Sequence, residues 1–336
     1  MSDQPEKYLK RAEDFSYDIK RIGADDFSVL IPLMENCFGM DVNVDYFRWK
    51  YTENPAGSFV GFIAVDKFTK VVGAYYGVIP QVFEVDGKEY TIFQSCDTMT
   101  HSSHRRRGLF KKLATHCYNE LRKEGKLFVI GFGGGQSTPG FLQFGWDHIF
   151  DFRYYFKPAL LCRFGKISKD DYPKVEVLKA LDAIENGLDV SRSQLSGRAK
   201  GIRTVEQIKW RLSNPSHQYL IIKLKNDSES FVTFYVQGDK LMVFDLHFKN
   251  AENGKLLLAF LNSQVTKKGF RGIFSFCQEN GPDATALKQN GFINNPFSFG
   301  PMSERVPFIF YAPKKDMERF NSPSDWQITT YDHDSL

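Results

Sequence analysis

The feature that most constrains the fold is an internal echo. Trp49-Lys50-Tyr51-Thr52-Glu53-Asn54-Pro55 returns, one residue shorter, as Trp210-Arg211-Leu212-Ser213-Asn214-Pro215. Further on, Gly125-Lys126-Leu127-Phe128-Val129-Ile130 is matched by Gly269-Phe270-Arg271-Gly272-Ile273-Phe274, and Gly145-Trp146 by Gly291-Phe292. Three echoes in one order indicate a duplicated unit rather than a chance match. The 336-residue length suits two domains.

Local patterning says what the unit contains. Phe59–Val65 and Val71–Val85 read as strands, and Asp86-Gly87 precedes a further strand running to about Met99. Asp-Gly between such runs marks a hairpin, because a type I′ turn needs positive φ at both central residues. Leu109, Leu113, Cys117 and Leu121 place a helix over about Arg107–Lys123, with Gly125 as its stop. An apolar strand at Lys126–Phe132, a Gly133-Gly134-Gly135 loop and a short helix before Gly145 follow. The expected fold class is therefore mixed α/β (α+β). A helical stretch is also expected within Arg21–Leu33 and at Val175–Ile184. Domain boundaries fall at 21–160 and 201–315, with a lead-in (1–20), a connector (161–200) and a polar tail (316–336).

Composition narrows the class. The 44 Lys+Arg against 40 Asp+Glu leave only +4, too little to make nucleic acid or a membrane the main partner. No apolar stretch is long enough to span a bilayer, and no signal peptide is expected. The cysteines, Cys37, Cys96, Cys117, Cys162 and Cys277, are scattered without a C-x-x-C pair. That pattern suits reduced thiols in a cytoplasm and gives no metal site.

The chemistry concentrates in Asp97–Phe110, where a strand end, a basic loop and a helix start adjoin. Helix-start amides and the positive end of the helix dipole bind phosphate. Arg105, Arg106 and Arg107 add fork-shaped donors, and Gly108 lets the backbone approach a ligand. Arg105–Arg107 with Lys111 and Lys112 also fit a solvated basic face. Coincidence of charge, glycine and helix start favours a pyrophosphate site.

These residues resemble the GNAT superfamily of acyl-CoA-dependent N-acyltransferases. Its pyrophosphate loop, Arg/Gln-x-x-Gly-x-Gly/Ala, is met by Arg105-x-x-Gly108-x-Phe110 at Arg and Gly, with Phe110 departing at the last small residue. The resemblance covers about residues 20–155. The second half resembles a degenerate copy, since Lys249-Asn250-Ala251-Glu252-Asn253-Gly254 keeps a glycine but no arginine. The whole thus resembles a tandem-GNAT protein. That resemblance implies acetyl-CoA as acyl donor, no metal, and direct attack on the thioester by an amine of a small polar acceptor, an amino sugar being one choice.

It further implies cofactor contacts from Met99, Thr100, His101, Arg105, Arg106, Arg107, Gly108, Leu109, Phe110 and Gln136. Asp97 is the first candidate for base or amine-orienting carboxylate, and a structural role suits it equally. His101 and His104 come second, with loop-stabilising roles as the plainer reading. The tyrosine that usually serves as acid is replaced by Phe141, with Leu287 as its counterpart. Some tandem enzymes use the chain end as base, which directs attention to Leu336. A non-catalytic acyl-CoA-binding scaffold is the alternative. Transfer from charged tRNA is disfavoured, because that class generally lacks a sound CoA loop. The sequence does not fix the oligomeric state.

Overall fold

The computed structural model describes residues 16–135, 137–192 and 197–334. In the first half, strands β1 (Tyr17–Arg21), β2 (Val60–Asp66), β3 (Val72–Val85) and β4 (Lys88–Thr100) form an antiparallel meander. Helices α1 (Ile31–Phe38) and α2 (Val44–Tyr51) lie between β1 and β2. Asp86 and Gly87 take φ of 49° and 76°, as the Asp-Gly hairpin requires. Helix α3 (Leu109–Lys123) leads to β5 (Val129–Phe132), parallel to β4, and α4 (Thr138–Gln143) precedes β6 (Asp147–Pro158).

The second half repeats this order. After β7 (Val175–Lys179) and β8 (Ala199–Gly201), α5 (Val205–Leu212) precedes β9 (Leu220–Leu224), β10 (Phe231–Gln237) and β11 (Lys240–His247). Then come α6 (Ala251–Lys268), β12 (Gly272–Gln278), α7 (Pro282–Gln289), β13 (Arg305–Tyr311) and β14 (Trp326–Gln327).

All the main strands join one sheet, in the order β1-β2-β3-β4-β5-β13-β6-β12-β11-β10-β9-β7. It is two similar mixed sheets set in tandem, and each lends its last strand to the other. The late strand β13 pairs with β5, while the early strand β6 pairs with β12. The antiparallel β13–β6 pair is the seam. On one face α3 lays Leu109, Leu113, Cys117 and Leu121 against Tyr76, Phe93 and Val129. Its counterpart α6 lays Leu257, Leu258, Leu261 and Val265 against Val232, Leu241 and Ile273. Behind the seam Phe152, Phe276, Phe308 and Phe310 pack with Trp326 and Ile328. Each such fully buried aromatic stabilises by about 2–3 kcal/mol.

The echoed Trp residues meet at the junction of the halves. Their rings stack 5.4 Å apart. Each indole N–H donates to the other's main-chain carbonyl, both at 2.7 Å. The echoed Asn residues also match, because Asn54 Oδ1 accepts from Ala56 N and Asn214 Oδ1 from Ser216 N, each at 2.9 Å.

Three local expectations differ from the structure. Val175–Lys179 is a strand, with the helix confined to Ala180–Glu185. The open edge of β9 supplies partners for this segment, Val175↔Leu224 to Lys179↔Leu220, and tertiary pairing overrides the helical pattern. Within Arg21–Leu33 the chain forms a 3-10 turn at Ala24–Leu30, and the α-helix starts only at Ile31. Pro32 cannot sit inside an α-helix, so it opens one instead. The end of the expected lead-in, Tyr17–Arg21, is the edge strand β1.

Candidate active site

The basic loop folds around two left-handed residues. After β4, a 3-10 turn at Ser102–His104 leads to Arg105 in extended backbone; Arg106 and Gly108 then take φ of 63° and 69° before α3 begins. A Cβ placed on Gly108 would meet no atom within 4 Å, so the cradle is open on that side. The first turn of α3 holds no acidic residue. Arg105, Arg106 and Arg107 are exposed. Arg105 Nε reaches Thr100 O at 3.5 Å, and Arg107 donates to the Tyr17 hydroxyl at 2.9 Å. Left-handed turns, first-turn amides without a side-chain cap among the described residues, and arginines together suit a pyrophosphate.

The other named residues divide by role. Met99 and Leu109 bury their side chains in the core and offer only backbone. Phe110 turns inward onto Phe141, ring to ring at 4.8 Å. His101 Nδ1 pairs with Ser103 Oγ at 2.8 Å and caps the turn. His104 Nδ1 pairs with the Tyr17 hydroxyl at 2.7 Å; burial, then the nearby Arg107, push its pKa below the ordinary histidine value. Gln136 and Leu336 lie outside the described residues.

Beside this loop the sheet opens. β4 and β5 pair only from Phe93↔Val129 to Ser95↔Gly131. Beyond Ser95, β4 continues beside β3 alone, through a bulge in which Asp97 takes φ of 45°. The result is a wedge between β4 and β5, rimmed by main-chain groups. The second half diverges at the equivalent place: Asp245 lies two residues past the last β11–β12 pair, Val243↔Ser275, as Asp97 lies two past Ser95.

At the wedge a buried cation ties three elements together. Lys50 Nζ on α2 lies 2.8 Å from Asp97 Oδ1 and 2.8 Å from Asp334 Oδ2. The Tyr51 hydroxyl donates to Asp97 Oδ2 at 2.7 Å. Burial alone would depress the Lys50 pKa, but Asp334 and Asp97 outweigh it and hold it well above the ordinary value. Both Asp97 oxygens are thus engaged, and the carboxylate's evident work is to hold Lys50.

Comparison with known proteins agrees with this geometry. Residues 18–149 match the acetyltransferase (GNAT) domain family. They are a GNAT domain. No curated protein matches the chain. Among solved structures, a GCN5-related N-acetyltransferase from Anabaena variabilis aligns with TM-score 0.64 at 11% identity, over 91% of this chain and 75% of that one. A probable N-acyltransferase from Enterococcus faecalis aligns with TM-score 0.63 at 11% identity, over 88% and 72%. N-myristoyltransferase of Saccharomyces cerevisiae, solved with bound myristoyl-CoA, aligns with TM-score 0.58 at 13% identity, over 88% and 79%.

Within this GNAT frame the C-terminal segment is docked. β14 pairs with β8, and the chain then runs along the junction of the halves to Asp334. Three cations hold it. Arg203 donates to Thr329 Oγ1 at 2.9 Å, Arg211 to the carbonyls of Tyr331 and His333, and Lys50 to Asp334. Lys50 and Arg211 are the residues that follow the echoed tryptophans, so each copy contributes one grip. The His333 ring lies 4.2 Å from that of Phe132 at the end of β5. Burial, only partly offset by Asp334, pushes its pKa down to about 4, so it is neutral at physiological pH. Beside this segment lies a crevice open to solvent, lined among others by Trp49, Ile79, Gln81, Trp210, Tyr331 and His333.

The features that suit a phosphate belong to one copy. At the start of α6 the Asn250 side chain already accepts from Asn253 N at 2.9 Å, and Glu252 stands in the first turn. Phe141, where the GNAT acid is expected, is buried against Phe110, Tyr76 and Trp146. Its counterpart Leu287 is fully buried as well.

The sequence singled out the loop but not Lys50, Gln81, Gln94, His333 or Asp334. One signal was available for Lys50: a cation follows Trp in both copies. The others come from remote parts of the chain and carry no motif.

Proposed function

We propose that the chain is an acyl-CoA-dependent N-acyltransferase that moves an acetyl group from acetyl-CoA to an amine held in the crevice. The observation that carries this is the open, acid-free, arginine-rich start of α3 standing beside the β4–β5 wedge in the first copy. In the second copy the same helix start is capped by its own asparagine and carries a glutamate.

The loop residues fit the donor: the amides of Gly108, Leu109 and Phe110 with Arg105–Arg107 would hold the pyrophosphate. Bound there, acetyl-CoA supplies an activated acyl thioester. The backbone of Met99 and Thr100 borders the wedge and offers N–H groups to a carbonyl oxygen. Asp97 is assigned the positioning of Lys50 and Tyr51 beside the wedge, because both its oxygens are taken. His101 shapes the loop by capping its turn. Phe141 offers no proton to the leaving sulfur.

Calorimetric titration with acetyl-CoA tests the reading. One-site binding that is lost in Gly108→Glu, which crowds and repels the pyrophosphate, supports it. A folded protein that binds no acetyl-CoA overturns it. Phe141 favours a second reading, in which acyl-CoA binds without turnover. Single-turnover release of CoA in the presence of amines, abolished by Asp97→Asn with acetyl-CoA binding kept, excludes that alternative.

A further inference from the structure

The hydrogen bonds beside the crevice run in one direction, and that direction selects a ligand. Asp334, ion-paired to Lys50 at 2.8 Å, offers acceptors only. Gln94, fully buried, must therefore present its amide nitrogen there, and Nε2 donates to Asp334 Oδ1 at 3.1 Å. Gln94 Oε1 is then left as an acceptor, and it receives Gln81 Nε2. The same Gln81 nitrogen also donates to the Asp332 carbonyl at 3.1 Å. Flipping the Gln81 amide would set oxygen against both acceptors, so the carboxylate fixes both amides through the chain.

What remains at the end is Gln81 Oε1. It is buried and has no hydrogen-bond partner among the described residues. A buried carbonyl oxygen of this kind is costly unless something donates to it. Gln81 lines the crevice, so a bound ligand is the natural donor.

The remaining lining narrows the ligand's body. Trp49, Ile79, Pro80, Phe83, Ile202 and Trp210 are apolar walls. Several polar neighbours are already occupied: Asn54 Nδ2 donates to Pro80 O at 3.0 Å and Gln207 Oε1 accepts from Thr204 N at 3.2 Å. Lys50 is neutralised by two carboxylates, and the Arg211 guanidinium, still charged, is turned toward the carbonyls of Tyr331 and His333. A polyhydroxylated body would lose water from several hydroxyls against these walls, and Gln81 Oε1 could accept from only one or two of them.

We propose that the crevice takes a primary amine on a compact apolar or aromatic body, its N–H donated to Gln81 Oε1, in preference to an amino sugar. This rests on the acyltransferase reading, in which the crevice holds the acceptor amine.

The test uses the full chain and two probes, phenethylamine and glucosamine, with binding read by quenching of the indole fluorescence of Trp49 and Trp210 and by calorimetry. Phenethylamine is expected to bind at least tenfold more tightly than glucosamine. Gln81→Leu should weaken phenethylamine about tenfold while binding of ethylbenzene, which has no N–H, is unchanged. Ala56→Trp, which fills space at a lining position, should weaken both phenethylamine and ethylbenzene. Equal or tighter binding of glucosamine, or phenethylamine binding indifferent to Gln81→Leu, overturns the proposal. Acetyl-CoA is titrated separately: its binding with no amine bound sinks this inference alone, and amine binding without acetyl-CoA binding sinks the acyltransferase reading alone.

Discussion

At the scale of single residues, Lys50 carries the largest stake. An ammonium group with no exposed surface is tolerated only because two carboxylates and a tyrosine hydroxyl surround it. Lys50→Met would leave Asp97 and Asp334 buried together without their cation. We expect a loss of about 3–5 kcal/mol in urea unfolding, far beyond a surface substitution. His333 gives the second residue-scale prediction. Its folded value of about 4 lies below the ordinary 6.5, so the unfolded chain takes up the proton first as pH falls. The stabilisation from keeping it neutral is complete above about pH 6.5 and is lost as pH drops through 4, an amount up to about 3 kcal/mol. Thermal unfolding followed from pH 7.5 to 4.5 should show this fall, and His333→Gln should flatten it. For Lys50 the sequence offered only the cation repeated after Trp in both copies, and for His333 nothing, because burial and partners 284 residues apart, as for Lys50 and Asp334, write no further pattern.

At the scale of elements, sequence reading succeeded where the determinants are short-range. The Asp86-Gly87 hairpin, the four-residue spacing of Leu109, Leu113, Cys117 and Leu121, and the Gly125 stop at φ 69° all depend on neighbours a few residues away. It failed at Val175–Lys179, where an edge strand elsewhere supplied the pairing. The loop before α3 lies between these cases, since its charge and glycine were visible but its left-handed turn at Arg106 was not. Arg105→Ala and Arg106→Ala should each weaken acetyl-CoA about tenfold, as expected for a charge-assisted contact to phosphate. Raising salt from 0.05 to 0.5 M should weaken the wild type more than either variant, because exposed charges are screened. Calorimetry at the two salt concentrations measures both effects.

At the scale of the whole molecule, the echoed motifs announced two similar units, but no short-range pattern could say that they exchange strands. β6 and β13 each leave their own half, so the border expected near residue 160 cuts through shared hydrogen bonding. A chain ending at Pro158 would keep β5 without β13, and β6 without β12 or β13. It would expose Ile130, Phe150 and Phe152, now covered by Phe276, Phe308 and Trp326, along unpaired strand edges that favour aggregation. It would also lose the C-terminal segment, and with Asp334 one of the two carboxylates that neutralise Lys50. We therefore expect residues 16–158 alone to be insoluble or unfolded, although they contain the whole GNAT match. Adding residues 159–334 as a separate polypeptide during refolding should restore a soluble complex, because the missing strands and the segment return together. In the intact chain the shared seam should make unfolding a single transition, with fluorescence of Trp146 in the first half and far-ultraviolet dichroism coinciding in urea. Two separated transitions would mean that the halves are held less tightly than the exchanged strands imply.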